Sequence, residues 1–148
     1  MTYKDPDELN NPLISIVIPA YNEERRITTT LDTVMSYFES QPYSWELIVV
    51  DDGSTDKTAI LLADRSEKND RFKVTSIPHR GKGFAVKHGM LQAHGRYRLM
   101  CDADLAVSIE YIGKFLNNIQ NKSDIIIASR QKAGARRIRE PVFRHLRG

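Results

Sequence analysis

Two clusters of acidic residues each follow an apolar run that is typical of a buried β-strand. Asp51 and Asp52 form the first cluster, and Asp102, Ala103 and Asp104 form the second. A carboxylate at the end of a buried strand is costly unless a cation or a hydrogen-bond donor meets it there. In open α/β sheets, ligands bind outside the C-terminal ends of the strands. We therefore expect these carboxylates to bind a divalent metal ion, a ribose, or both.

The segment Asp102-Ala103-Asp104 is a candidate metal site. Both carboxylates can turn toward one ion if the chain bends after the strand. Hard oxygen ligands suit Mg²⁺ or Mn²⁺, which also bind substrate phosphates. The alternative is a turn whose Asp side chains cap the next helix. Because a D-x-D pattern is short and common, the pattern alone leaves both interpretations open.

The segment Asp51-Asp52-Gly53-Ser54 is a candidate nucleoside site. A carboxylate here can accept hydrogen bonds from a ribose diol or from a base N–H. Gly53 permits a tight turn with positive φ. The alternative is a helix-entry turn capped by Asp52, and that alternative is favoured if the segment is considered alone.

The loop after the first apolar run combines capping residues with an aromatic ring. Asn22 is a natural helix N-cap, and Glu23 and Glu24 in a first helical turn suit the helix dipole. This structural role is sufficient for Glu24. It leaves Tyr21 unexplained, and an aromatic ring at the end of a strand can stack on a base.

A basic, glycine-rich turn is a candidate anion site. Residues 79–83 read His-Arg-Gly-Lys-Gly, and Lys82 with the free N–H groups of a helix start can bind phosphate. The spacing is not that of a Walker A loop. Arg130 follows the last predicted strand and can pair with a phosphate at the same edge. A plain turn is the alternative for residues 79–83.

The elements that must position these residues alternate between strands and helices. Apolar runs predict strands at 14–18, 45–50, 72–77, 97–101 and 124–128, separated by helical patterns. This order predicts a mainly parallel sheet with helices on both faces, an α/β/α sandwich of the Rossmann-like type. All the loops that follow strands then meet at one edge of the sheet.

Length and composition indicate one ordinary globular domain. The 148 residues suffice for a core, with 41% hydrophobic and 28% charged residues. We expect a polar lead-in over residues 1–12 and a single domain over 13–148. No apolar run approaches the ~20 residues of a membrane span, and the N-terminus has no signal-like apolar core. The single Cys101 excludes an intramolecular disulfide framework. A cytoplasmic location is the simplest expectation.

The net charge of +3 conceals an uneven distribution. Residues 130–148 contain seven Lys or Arg side chains and one Glu, whereas the rest of the chain is acidic overall. Such a basic segment suits nucleic acid, anionic lipid or the phosphates of a substrate. A solvated helix surface is the alternative. We do not expect nucleic-acid binding, because few aromatic residues accompany the basic ones.

Four segments, in their order and spacing, resemble the family 2 inverting glycosyltransferases with a GT-A fold. They lie within residues 13–130 and are Ile16–Glu24, Val49–Asp56, Gly81-Lys82-Gly83 and Asp102-Ala103-Asp104. Within that family, residues 81–90, 102–106 and 128–130 are similar to the dolichyl-phosphate sugar synthases, the glucosyl type more than the mannosyl type.

The resemblance implies roles for single residues. Asp102 and Asp104 would hold Mg²⁺ or Mn²⁺ at the diphosphate, with Asp104 and Arg130 as catalytic residues. The residues that would bind the nucleotide sugar are Pro19, Tyr21, Glu23, Asp51, Lys82, Asp102 and Ala103. Asp51 would face the base.

The resemblance also implies a reaction and its partners. A sugar would pass from UDP-glucose or GDP-mannose to a polyprenyl or dolichyl phosphate with inversion, and the basic segment would contact the membrane peripherally at its cytoplasmic face. Family members normally continue further, so the resemblance implies a C-terminal truncation that leaves the acceptor part incomplete. The alternatives are a family 2 transferase acting on a saccharide hydroxyl and a non-catalytic donor-binding fragment.

Overall fold

The computed structural model describes residues 11–119 and 125–127. The contacts between residues divide the chain into two units, 1–110 and 111–148, and each is described by itself. In the first unit the elements are β1 (Ile14–Ala20), α1 (Ile27–Glu39), β2 (Trp45–Asp51), α2 (Thr58–Ser66), β3 (Phe72–Ser76), α3 (Lys82–Gln92) and β4 (Tyr97–Met100). A 3₁₀ turn at Ile109–Tyr111 leads along the chain to α4 (Ile112–Ile119).

The four strands form one parallel sheet in the order β3-β2-β1-β4. At the end of β1, Ala20 pairs with Asp51 of β2, and Asp51 pairs in turn with Ser76 of β3. The shorter β4 ends at Met100, opposite Val17. The C-terminal ends of all four strands therefore share one edge, as the alternating pattern predicted.

One face of the sheet is covered by α1 and α2. The buried side of α1 carries Ile27, Leu31, Val34 and Phe38, all fully buried at helical spacing. The Phe38 ring lies 5.8 Å from the ring of Trp45 at the start of β2, which fixes the face that α1 covers. Burying four such side chains stabilises the fold by about 1.5–3 kcal/mol each.

The opposite face of the sheet is covered by α3, which approaches unusually closely. Val17, Ile48 and Val50 point to this face and form a core cluster with Ala85 of the helix. Gly89 of α3 lies so near Val17 and Val50 that a Cβ atom at this position would overlap both side chains. The result is a three-layer α/β/α arrangement, which confirms the predicted fold class.

A buried carboxylate organises the N-terminal edge of the sheet. Glu46 is 5% exposed, and it accepts hydrogen bonds from the Ser15 hydroxyl (2.6 Å) and the His94 amide (2.7 Å). Lys73 forms an ion pair with it at 2.9 Å. Burial opposes ionisation, but these donors together lower the pKa of Glu46 below its ordinary value. Glu46 thus joins three strands at the edge opposite the acidic clusters.

Two local predictions are wrong. Asn22 does not cap a helix, because α1 begins only at Ile27, and Asn22 instead has φ +54° with its side chain bonded to the next loop. Residues 125–127 of the predicted fifth strand do not form a strand, and the flanking residues lie outside the described part of the chain. Ile125 and Ile127 are 80% and 81% exposed. An apolar run alone therefore does not establish a strand unless a neighbouring strand pairs with it.

In the described residues, no helix has both the length and the apolar character needed to cross a bilayer. The division into a lead-in over 1–12 and one domain over 13–148 stays a prediction.

Candidate functional site

The loops that follow β1 and β2 are locked together by reciprocal hydrogen bonds. The amides of Asn22, Glu23 and Glu24 donate to the side chains of Ser54 (3.0 Å), Thr58 (2.8 Å) and Asp56 (3.1 Å), respectively. In the reverse direction, the amides of Thr55 and Lys57 donate to the side chains of Asn22 (2.8 Å) and Glu24 (3.1 Å). We call this arrangement the interlocked loops. It gives Asn22 and Glu24 structural roles and leaves Tyr21 available for another function.

Asp51 is placed at the end of β2, with 3% of its surface exposed. Its Oδ1 accepts a hydrogen bond from the Ser54 amide at 3.2 Å, which closes the turn. The predicted contact of Asp51 with a nucleoside therefore involves a carboxylate that already holds its own loop. That role stays a prediction.

Asp52 connects the β2 loop to the turn before α3. It is 2% exposed, and its two carboxylate oxygens accept hydrogen bonds from the amides of Arg80 and Gly81, each at 2.8 Å. Nδ1 of His79 lies 2.9 Å from the same carboxylate. The sequence left two interpretations of Asp52, a ligand-binding carboxylate or a cap for its own helix. The structure instead shows that it fixes the basic turn that begins α3.

An aromatic pair lies beside this carboxylate. The ring of Tyr21 stacks on the imidazole of His79, with centroids 4.0 Å apart and 24° between the planes. Tyr21 is 43% exposed, so part of its surface is accessible to a ligand. The sequence selected Tyr21 for stacking but included His79 only as part of the basic turn over residues 79–83, so the stacking of the two rings was not predicted.

The second acidic cluster follows β4 in a short turn. The carbonyl oxygen of the buried Ala103 accepts a hydrogen bond from Thr30 of α1 at 2.6 Å, so the turn is fixed to that helix. Oδ1 of Asp102 pairs with Nζ of Lys82, the first residue of α3, at 2.5 Å. Oδ1 of Asp104 accepts the amide of Ala106 at 2.9 Å. Asp102, Ala103 and Lys82 thus lie close together at the C-terminal edge of the sheet, as the sequence predicted.

The binding of a metal ion by Asp102 and Asp104 stays a prediction, and the two carboxylates can be compared with what such an ion needs. Mg²⁺ commonly uses one or two carboxylates and completes its shell with phosphates and water. Asp102 and Asp104 each have one oxygen engaged within the protein, which leaves the other oxygen for an ion. Across residues 11–119 and 125–127, no three His, Cys, Asp or Glu side chains form a group that could hold a metal. Within those residues, Asp102 and Asp104 would therefore supply only part of the ligand shell of a metal ion.

Cys101 is not a nucleophile in this arrangement. Burial, with smaller effects from Asp102 and Asp104, raises the pKa of its thiol to about 11. A thiol with so high a pKa is hardly ionised near neutral pH, and the thiolate is the reactive form.

The contacts of the other predicted site residues do not indicate what they bind. Pro19 lies in β1 opposite Val50, and the Glu23 carboxylate pairs with Arg26 at 2.8 Å. Arg130 and the basic segment 130–148 lie outside the described residues. Their predicted roles in catalysis and membrane contact stay predictions.

Comparison with known proteins gives a consistent set of matches. Residues 15–144 match the family model described as glycosyl transferase family 2. A dolichyl-phosphate beta-glucosyltransferase from Trichomonas vaginalis is 38% identical over 128 residues, which cover 79% of this chain and 39% of that protein. The dolichyl-phosphate beta-glucosyltransferase from Homo sapiens is 37% identical over 118 residues, covering 72% of this chain and 36% of that protein. The chain thus spans about two fifths of the length of these relatives.

Solved structures give the same fold. TarS 1–349 from S. aureus superposes with a TM-score of 0.57 and 26% identity, covering 73% of this chain and 32% of that one. The mannosyltransferase PcManGT from Pyrobaculum calidifontis, in complex with GDP-Man and Mn²⁺, superposes with a TM-score of 0.53 and 28% identity, covering 70% of this chain and 31% of that one.

Proposed function

Because the chain belongs to glycosyl transferase family 2, we propose that it carries the donor-binding part of an enzyme that transfers glucose from UDP-glucose to dolichyl phosphate. The names of the relatives support the sugar and the acceptor. The solved relatives in complex with UDP or with GDP-Man and Mn²⁺ support a nucleoside diphosphate donor and a divalent metal.

The observation that carries the proposal is the grouping of opposite charges at one edge of the sheet. Nζ of Lys82, the first residue of α3, pairs with Asp102, and Asp104 follows Asp102 in the same turn. A nucleoside diphosphate with its metal needs both kinds of group, since phosphate oxygens suit lysine while the metal suits carboxylates. Neither a helix cap nor a plain turn requires this combination.

The proposed assignment divides the edge into two parts. Tyr21 and Asp51, with Pro19 and Glu23 nearby in the chain, would hold the nucleoside. Lys82 would bind the diphosphate. The metal would be held by Asp102 and Asp104, where it would neutralise charge on the departing nucleoside diphosphate.

The proposed reaction does not require a general base to activate the acceptor. The phosphate oxygen of dolichyl phosphate is already an anion, so it can attack the anomeric carbon without a general base. The new bond forms to that oxygen as the bond to the nucleoside diphosphate breaks, and the configuration inverts. Arg130 is proposed to meet the charge on the acceptor or the leaving group. The basic segment 130–148 is proposed to contact anionic lipid at the cytoplasmic face of a membrane.

Titration calorimetry with UDP-glucose and GDP-mannose, each with Mn²⁺, tests the donor part of the proposal. We expect UDP-glucose to bind, and Asp104→Ala to weaken its binding at least tenfold, about 1.4 kcal/mol. Asp64→Ala, an exposed carboxylate change on α2, is the matched control and should not alter binding. If neither donor gives heat, or if Asp104→Ala binds like the wild type, the donor site is wrongly assigned.

A transfer assay tests the acceptor part separately. Radiolabelled UDP-glucose is incubated with polyprenyl phosphate and Mn²⁺, and we expect a labelled lipid product. A labelled product from a saccharide acceptor instead would favour a hydroxyl-directed family 2 transferase. Donor binding without transfer to any acceptor would restrict the function of this chain to donor binding.

A further inference from the structure

We propose that His79 is a positioning residue that holds the Tyr21 ring in place for stacking on the donor base. The inference rests on the proposed function, because it takes Tyr21 to contact the nucleoside. Its starting point is the parallel stack of the two rings, whose centroids are 4.0 Å apart. One face of the Tyr21 ring is therefore covered by protein, and a base can use only the surface that remains exposed.

His79 is itself fixed by a buried anion. Its Nδ1 lies 2.9 Å from the Asp52 carboxylate and 3.0 Å from the Asp52 carbonyl oxygen. Asp52 has almost no freedom, since it is 2% exposed and is bonded to the amides of Arg80 and Gly81. Asp52 therefore holds the ring of His79 and the backbone of the two residues that follow it.

The backbone around His79 is held by a second, independent contact. Gly53 has φ +68°, and a Cβ atom on it would lie 2.7 Å from the backbone nitrogen of His79. Real side chains do not tolerate so short a distance, so the β2 loop and the His79 segment approach each other only because residue 53 is glycine. The position of the imidazole is thus determined by side-chain and backbone contacts together.

A fixed Tyr21 binds a base at lower entropic cost than a mobile one. An exposed tyrosine that must be ordered on binding loses side-chain freedom, whereas a ring already held by a stacked partner does not. Ordering a mobile side chain on binding costs about 0.5–1.5 kcal/mol, which corresponds to a change in affinity of about twofold to tenfold. His79 is then expected to affect binding of the base and not binding of the phosphates.

Calorimetry of the 148-residue chain with Mn²⁺ separates these contributions. The probes are UDP, GDP and inorganic diphosphate, which lacks the base. The variants are His79→Ala, which removes the stack, and His79→Phe, which keeps it. His94→Ala is the matched control, because His94 is also an exposed histidine beside a buried carboxylate, Glu46, at the opposite edge of the sheet.

We expect His79→Ala to weaken the tighter of UDP and GDP by about twofold to tenfold, with diphosphate affinity unchanged. His79→Phe should retain nucleotide affinity within about twofold of the wild type, and His94→Ala should match the wild type with every probe. Equal losses for nucleotide and diphosphate in His79→Ala, or no loss for either, would overturn the inference. It would also be overturned if His79→Phe were as weak as His79→Ala. A wild-type chain that binds none of the three probes would instead refute the proposed donor site.

Discussion

Three glycines lie at the C-terminal edge of the sheet. The change in the free energy of unfolding when each is replaced by alanine tests how closely the loops there pack. Gly53 combines φ +68° with the near contact to His79, and Gly81 has φ +93° with open space around it. Gly83, the second residue of α3, has neither a positive φ nor any atom within 4 Å of an added Cβ. Gly53→Ala therefore tests backbone strain together with steric overlap, and Gly81→Ala tests backbone strain alone. Gly83→Ala tests neither and serves as the control.

The magnitudes follow from these geometries. Gly81 has φ +93° and ψ 159°, a conformation that is essentially restricted to glycine and costs another residue about 1–3 kcal/mol, so Gly81→Ala should lower the free energy of unfolding by that amount. Gly53→Ala combines a left-handed conformation, at about 1–2 kcal/mol, with an overlap with backbone, at about 1–3 kcal/mol, for a total of about 2–5 kcal/mol. Gly83→Ala should be neutral or should stabilise α3 by up to about 1 kcal/mol.

Urea unfolding followed by tryptophan fluorescence measures all three variants. Trp45 is the single tryptophan, and it lies buried at the start of β2, so its emission reports unfolding of the sheet. If Gly53→Ala cost no more than Gly81→Ala, the close approach of the β2 loop to His79 would be wrong. If Gly81→Ala behaved like Gly83→Ala, the positive φ of the turn before α3 would be wrong.

Other predictions concern the core and the edge opposite the site. Glu46→Gln should lower the free energy of unfolding by about 1–3 kcal/mol near pH 7. The lowered pKa of Glu46 means that the wild type should also lose stability as pH falls below about 4.5, more steeply than Glu46→Gln does in urea titrations at pH 3–5. Phe38→Ala, which empties a fully buried site, should cost about 3–5 kcal/mol in the same assay. Because burial raises the pKa of Cys101 to about 11, the native chain should react with a thiol reagent at pH 8 much more slowly than the chain in urea.

The strands and helices of the sheet were predictable because each depends on a local pattern. The run from Trp45 to Val50 is apolar at nearly every position, as a strand buried on both faces requires. The observed strand β2 is only one residue longer than the predicted one and ends at Asp51. The apolar residues Ile27, Leu31, Val34 and Phe38 likewise recur at helical spacing in the sequence, and they form the buried face of α1. The apolar run at 124–128 gave a wrong strand prediction. A strand depends on pairing with a neighbour, and that pairing cannot be read from the run itself.

The candidate site was predictable in its residues but not in their contacts. Asp102 and Lys82 were selected from separate motifs, and the structure joins them directly. The contacts of Asp52 reach residues 79–81, nearly thirty positions away, so no local pattern distinguishes this carboxylate from a helix cap. Asn22 was misassigned in the same way, since its bond to Thr55 satisfies the side chain that a helix would otherwise use.

The interlocked loops have a consequence for how this region tolerates change. Each backbone amide of the first loop depends on a side chain of the second, and the second loop depends on Asn22 and Glu24 of the first. A substitution in one loop therefore removes a partner from the other and leaves polar groups unpaired. Grafting one loop from a relative should fail where grafting both together succeeds, because the two loops form one hydrogen-bonded unit although they lie about thirty residues apart.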